Sequence, residues 1–443
     1  MKVQISYKNI WSVAYPIIIG SLASNLINVI DTAFIGRLGN VSLGASAIAG
    51  TFFLIFTLLC VGLATGSQII IARRSGEANH SSIGDVFNQN LYLLSIFGIV
   101  LYVIIQFLSP VFLKLIITSE PIYLQANSFL AYRAWGIWFV AINAVYSAFY
   151  VGMSKTKVLT YSTTLMTACN IILDYGLIFG NLGLPEMGIK GAALASSISE
   201  FITFLFLIIY THKTTDLKYF GLYQFKAWSN EIIRKIIKLA YPTVFQYLIS
   251  LGSWFMFFVI IEKLGEQALA ISNILRSILL LFMMPVWGLS TTTNTMTSNI
   301  IGQRKDYKIN TLTKRIMLIS ILFVLIYLPV VVFCPEWLIR IYTDAPELIS
   351  STSKSLIIIY LAMITFVPGV ILINSLSGTG DTKTAFFIEL AGTASYLTYT
   401  YFVAIFFKLP LNFIWAAETV YWSVILVLSF YRLRSKKWQK IKV

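Results

Sequence analysis

The chain has 443 residues, of which 58% are hydrophobic and 12% charged, against roughly a quarter charged in an ordinary soluble domain. This composition excludes a soluble globular protein. The longest polar stretch, the 27 residues from His212 to Lys238, is too short to build a core of its own. The net charge of +15 is scattered between apolar runs and not gathered on one folded face, so it reads as membrane topology, and nucleic acid is not expected as a partner.

In chain order, the first twenty residues, MKVQISYKNIWSVAYPIIIG, lack a short apolar core with a small-residue cleavage site and run on into a full-length span, so they are expected to be retained. Apolar runs of about 20 residues predict spans at 11–35, 43–72, 86–109, 123–150, 158–180, 191–211, 239–261, 268–298, 314–334, 351–378, 384–407 and 411–431. The fold class is therefore an all-α integral membrane protein with twelve transmembrane helices.

Twelve spans place both termini on one side, and Lys and Arg sort accordingly. One side collects 24 of them, including Lys2, Lys8, Arg73, Arg74, six in the loop from Lys213 to Lys238, and six in the tail RLRSKKWQKIKV. The other side has Arg37, Lys114, Lys190, Lys263, Arg340 and Lys408, with Lys354 near the boundary. The positive-inside rule makes both termini cytoplasmic, in a cytoplasmic (inner) membrane. Cys60, Cys169 and Cys334 all lie in apolar runs, against a disulfide framework or a thiolate metal site. His80 and His212 fall in cytoplasmic connections, and no phosphate-binding Walker loop is present. An enzyme is therefore not expected, and neither is a cofactor.

The chain repeats at an offset of about 226 residues. Without a gap, Ala14-Tyr15-Pro16 meets Ala240-Tyr241-Pro242, Leu38-Gly39 meets Leu264-Gly265, and Gly62-Leu63 meets Gly288-Leu289, with 17 identities in 63 positions. Two parallel six-helix lobes follow. They are expected at 1–211 and 239–431, joined by a cytoplasmic linker at 212–238 and followed by a basic tail at 432–443. Such an architecture suits alternating access around a site near the midplane. Pro16 and Pro242 occupy equivalent places in spans one and seven, and as helix breakers they are hinge candidates, with packing alone as the other reading.

Departures from the repeat mark chemistry. Asp31 aligns with Phe257 and Asp174 with Thr400, so both carboxylates belong to the first lobe. Asn28 precedes Asp31 by three residues and Asn170 precedes Asp174 by four, which gives each carboxylate an amide one turn away. Intramembrane carboxylates are costly and functional by default. Two in one dry pocket should share a proton or hold a cation, the chemistry of a coupling site. Glu200, Glu389 and Glu418 also lie within spans, as do Arg133 and Arg276, which read either as Arg–Glu neutralisation or as cavity charges that favour an anionic substrate.

The chain resembles the multidrug and toxic compound extrusion (MATE) transporters. The resemblance is carried by AYP at Ala14 to Pro16, DTAFIGRLG at Asp31 to Gly39, NIILD at Asn170 to Asp174, GIKGAALASS at Gly188 to Ser197, and the repeated cytoplasmic end at Gly302-Gln303. It implies antiport of organic, lipophilic or cationic, compounds against H+ or Na+. Asp31 would be central to coupling, joined by Asn170 and Asp174, with Ser196 as the matching hydroxyl of the sixth helix. The NorM-type branch carries an acidic residue in the seventh helix where this chain has Ser250 and its neighbours, which makes it more similar to the DinF-type branch. A monomer in the lipid bilayer with a small-molecule substrate is expected, and no resident metal beyond a Na+ ion at the coupling site. The rival expectation is a flippase for lipid-linked oligosaccharide, whose diphosphate would require several basic groups in the cavity; only Arg133 and Arg276 are available.

Overall fold

The computed structural model describes residues 4–441. Lys2 and Lys442, counted above on the basic side, lie outside the described residues. Among the described residues there are helices and no strand.

Twelve long helices account for the spans. They are α1 (Tyr7–Gly36), α2 (Asn40–Glu77), α3 (His80–Val103, continued by Ile104–Leu108 and Ser109–Ile116), α4 (Glu120–Gly152), α5 (Lys157–Phe179) and α6 (Ile189–Thr214). The second six are α7 (Asn230–Glu262), α8 (Glu266–Gly302), α9 (Ile309–Phe333), α10 (Pro346–Gly378), α11 (Thr382–Tyr401, continued by Phe402–Phe406) and α12 (Ala417–Arg434). Eleven of these spans are long and apolar enough to cross a membrane on hydropathy alone. The exception, α11, carries Glu389 and a run of threonine and tyrosine, so its polar groups must be satisfied by neighbouring helices and not by lipid.

Most helices outrun the apolar windows that announce them. The window 43–72 becomes Asn40–Glu77, and 268–298 becomes Glu266–Gly302. Hydropathy finds only the hydrocarbon-embedded part, whereas hydrogen bonding continues the helix until capping chemistry stops it, as at Ala78, which adopts a left-handed conformation with φ 60°. For the same reason the connection expected at 212–238 is shorter. Helix α6 runs to Thr214 and α7 begins at Asn230, so both ends of that polar stretch are helical.

The two halves repeat the same packing: α2 against α4, α4 against α6 and α5 against α6 in the first, and α8 against α10, α10 against α12 and α11 against α12 in the second. The chain forms two compact units, but they do not divide between α6 and α7. Among the described residues, one comprises Tyr15–Val244; the other comprises 4–14 together with 245–441. Two helices therefore change unit along their length, α1 after Ala14 and α7 after Val244. Pro16 and Pro242 each lie two residues from these points.

Candidate functional site

Helices α1 and α5 run parallel with a constant register. The Thr160 hydroxyl donates to the Pro16 carbonyl (3.3 Å), and the Thr167 hydroxyl, which donates to the Thr163 carbonyl of its own helix (2.8 Å), also comes within 3.4 Å of the Ala23 carbonyl, both cross-helix pairs 144 residues apart. Further along, Phe34 meets Phe179 edge to face at 5.6 Å. Threonines at 160, 163 and 167 share one face of α5 by helical spacing, and hydroxyl-to-carbonyl bonds of this kind join helices where no water competes.

That register brings Asp31 against Asp174. Each stands five residues before the end of its helix, and the two carboxyl groups face each other at close range. Two carboxylates are both acceptors, so they can bond to each other only with a proton shared between them. Asp174 is fully buried and Asn170 is 1% exposed. The Asn170 Nδ2 donates to the Ser196 hydroxyl of α6 at 3.4 Å. Asp31 Oδ1, both Asp174 oxygens and Asn170 Oδ1 are buried without a hydrogen-bond partner. Four acceptor oxygens without donors fit a proton or a small hard cation. No group of three or more His, Cys, Asp or Glu forms a metal-binding cluster among the described residues.

Asn28, the other amide expected near Asp31, lies one turn before it on α1. Asn28 is exposed, its carbonyl accepts from Thr32 (2.7 Å), and no hydrogen bond joins its side chain to Asp31 among the described residues. Three residues put Asn28 on the same broad face as Asp31.

Toward the other end of α5, a cavity of about 340 Å³ opens within the first unit. Hydroxyls of Ser24, Thr65, Ser162 and Thr163, with Gln68, Asn143 and Glu200, line it among apolar side chains. Glu200 is held from behind by Arg133 through two bonds, Nη1 to Oε2 at 2.7 Å and Nη2 to Oε1 at 2.5 Å. The guanidinium lies 4.0 Å over the Phe53 ring, and no lysine or arginine lines the cavity among the described residues. Gly136 makes the ion pair possible, since a Cβ there would lie 2.2 Å from Glu200 Oε2 and 2.5 Å from Arg133 Nη1. Arg276, in the second unit, sits 5.0 Å over Phe258 and joins no ion pair among the described residues.

Neutralisation by arginine explains Glu200 but neither of the other two glutamates. Glu389 accepts from the Ser250 hydroxyl (2.6 Å) and from Tyr421, while Glu418 is buried beside Tyr396 and Trp422. Here α7 and α11 pair 139 residues apart, as Ser250 with Glu389 and Phe257 with Tyr396, whose rings stack at 5.4 Å. This register is about one helical turn away from that of α1 and α5. The position equivalent to Asp31 is thus filled by Phe257, packed also on Trp415 at 5.0 Å, and the acidic groups of the second unit lie on different turns. Sequence reasoning missed this set because nothing in the repeat announces a slip in register.

A family model, MatE, matches the chain twice, over residues 16–176 and 242–414. The chain belongs to the MatE family. The two matches begin at Pro16 and Pro242, in the 226-residue register of the repeat, and together they span most of the chain. Among curated relatives, "Probable multidrug resistance protein NorM" of Thermotoga maritima is 26% identical over 440 residues, covering 98% of this chain and 93% of that protein. "Probable multidrug resistance protein YoeA" of Bacillus subtilis is 24% identical over 294 residues, covering 65% and 63%. Of solved structures, a MOP superfamily transporter from Pyrococcus furiosus superposes with a TM-score of 0.89 at 21% identity, over 98% of this chain and 97% of that one. The Vibrio cholerae MATE transporter VcmN gives 0.89 at 18% identity, over 98% of each. The fold of this MatE chain is that of the twelve-helix transporters, and it is a multi-pass membrane protein.

Proposed function

We propose that this MatE protein is a cation-coupled antiporter that exports lipophilic or cationic organic compounds by alternating access. The observation that carries the reading is the Asp31–Asp174 contact, with orphaned acceptor oxygens and no bonded basic group. H+ or Na+ is the coupling ion; Asp31, Asp174, Asn170 and Ser196 would hold it, with Asn28 at the margin. Binding the ion satisfies the acceptors, and losing it leaves them unpaired, so occupancy biases the packing of α1 on α5.

The multidrug resistance names of the relatives and the cavity along the same α5 support an organic substrate. Its hydroxyls, amides and one carboxylate offer acceptors to a cation, and its lack of arginine and lysine disfavours the diphosphate of a flippase substrate. We place the protein as a monomer in the inner membrane with both termini and the 212–238 connection cytoplasmic, and bending at Pro16 and Pro242. The DinF-type assignment rests on the first-lobe carboxyl pair and on Ser250, although several relatives bear the name NorM. Each charge crossing 100 mV supplies about 2.3 kcal/mol, enough for a substrate gradient of roughly fifty-fold.

The test uses purified protein in sealed vesicles, without nucleotide, under an imposed pH or Na+ gradient. Accumulation of a lipophilic cation against its own gradient is the expected outcome. Failure under both gradients, with translocation of added lipid-linked oligosaccharide, would replace this reading with a flippase.

A further inference from the structure

The chain passes between its compact units in two helices, and each is tethered at its start by the same position of the repeat. Gln89 in α3 holds the backbone just ahead of α7: Nε2 donates to the Ala227 carbonyl (2.9 Å), and Oε1 accepts from the Ser229 N–H (2.9 Å). The residue 226 positions later is Arg315 in α9. Its guanidinium donates to the Ile5 carbonyl, just ahead of α1, and lies 5.3 Å over the Tyr7 ring. The chemistry differs between the two positions. The topological role is the same, since each ties the segment entering a crossing helix to the unit in which that helix starts.

Neighbouring contacts reinforce both tethers. Asn88 accepts from the Tyr223 N–H (2.9 Å) and donates to the Gly221 carbonyl (3.0 Å). Beyond the tether, α7 lies on α2 at Gly62 and Gly66, a small-xxx-small seam. A Cβ at Gly66 would stand 2.4 Å from the Ile236 carbonyl, and one at Gly62 2.7 Å from a Val244 methyl. Val244 is also the last residue of α7 in the first unit. In the second unit Trp11 stacks on Phe323 at 5.7 Å, and α1 leaves that unit after Ala14.

We infer that Gln89 and Arg315 are positioning residues of the transport cycle, fixed anchors that hold the first turns of α7 and α1 so that bending is confined to Pro242 and Pro16. The inference rests on the antiport reading above. An anchor differs from a latch in never opening. Gln89 is 3% exposed, and its release would leave a buried amide and two backbone groups without partners, which is costly.

Three measurements test it. In Gln89→Leu, hydrogen exchange of the Ser229 amide should rise about tenfold while α4 is unchanged; unchanged protection of Ser229 overturns the anchor. The same variant should lose about threefold or more in maximal transport rate with apparent KM for substrate unaltered, and Arg315→Leu should match it while Arg315→Lys keeps most of the rate. A defect carried by KM overturns the positioning role. Finally, Gln89→Cys with Ser229→Cys, with Cys60, Cys169 and Cys334 replaced by alanine, should be slow when open and recover when a short bis-methanethiosulfonate bridges the pair. Transport that proceeds when open and stops on bridging would identify a latch. If the unaltered protein moves no substrate under either ion gradient, the antiport reading fails, and the exchange measurement on resting protein still decides the anchor.

Discussion

Asp31 of α1 and Asp174 of α5 bring their carboxyl groups together at the same height in two parallel helices, and neither takes part in an ion pair among the described residues. Replacing either by asparagine keeps the shape and removes one titratable oxygen. Asp31→Asn and Asp174→Asn should each lower ion-driven efflux by more than about tenfold, and the double variant should be no worse than the more damaged single one, because residues sharing one ion act non-additively. Efflux assays on equally expressed variants check this; additive losses would mean two independent sites.

The Arg133–Glu200 pair depends on the missing side chain at position 136. Gly136→Ala should destabilise the protein by about 1–3 kcal/mol through overpacking, read as a lower midpoint of thermal unfolding in detergent. Glu200→Gln, which removes the carboxylate and keeps the volume, should weaken binding of a cationic substrate, measured as a higher apparent KM.

The α2–α7 seam offers a second packing test. Gly66→Leu places a side chain against the backbone of Ile236 and should prevent assembly of the first unit, seen as loss of monodisperse protein on size exclusion. Thr65→Ala, on the adjoining position facing the cavity, should leave assembly intact.

Sidedness follows from the charge sorting. Ala227→Cys, in the connection before α7, and Leu182→Cys, between α5 and α6, are both at exposed positions. In a background without Cys60, Cys169 and Cys334, a membrane-impermeant thiol reagent added to intact cells should label only Leu182→Cys; labelling of Ala227→Cys alone would invert the topology.

Much of this was legible before any coordinates. Twelve spans, the 226-residue repeat and the first-lobe carboxylates follow from apolar run length and from residues that break the repeat, both local properties of the chain. Residues that depend on how helices register were not legible. Asn28 shares a helical face with Asp31 in sequence, yet it is exposed where Asn170 is buried. Glu389 finds Ser250 and not an arginine because α11 sits about a turn out of the register that α5 keeps with α1. The exchange of helix ends at Ala14 and Val244 carries no compositional signal at all, since both sides of each junction are apolar helix.

In the proposed antiport the coupling ion is handled by Asp31 and Asp174 in the first unit and not by the glutamates of the second. The most direct test is substrate-evoked ion flux: in nucleotide-free vesicles, adding substrate on one side should release H+ or Na+ on the other, recorded with a pH-sensitive dye or radioactive sodium. The evoked flux should vanish in Asp31→Asn and in Asp174→Asn and persist in Glu389→Gln and Ser250→Ala. A flux that survives both aspartate substitutions and is lost in Glu389→Gln would move the coupling chemistry to the second unit.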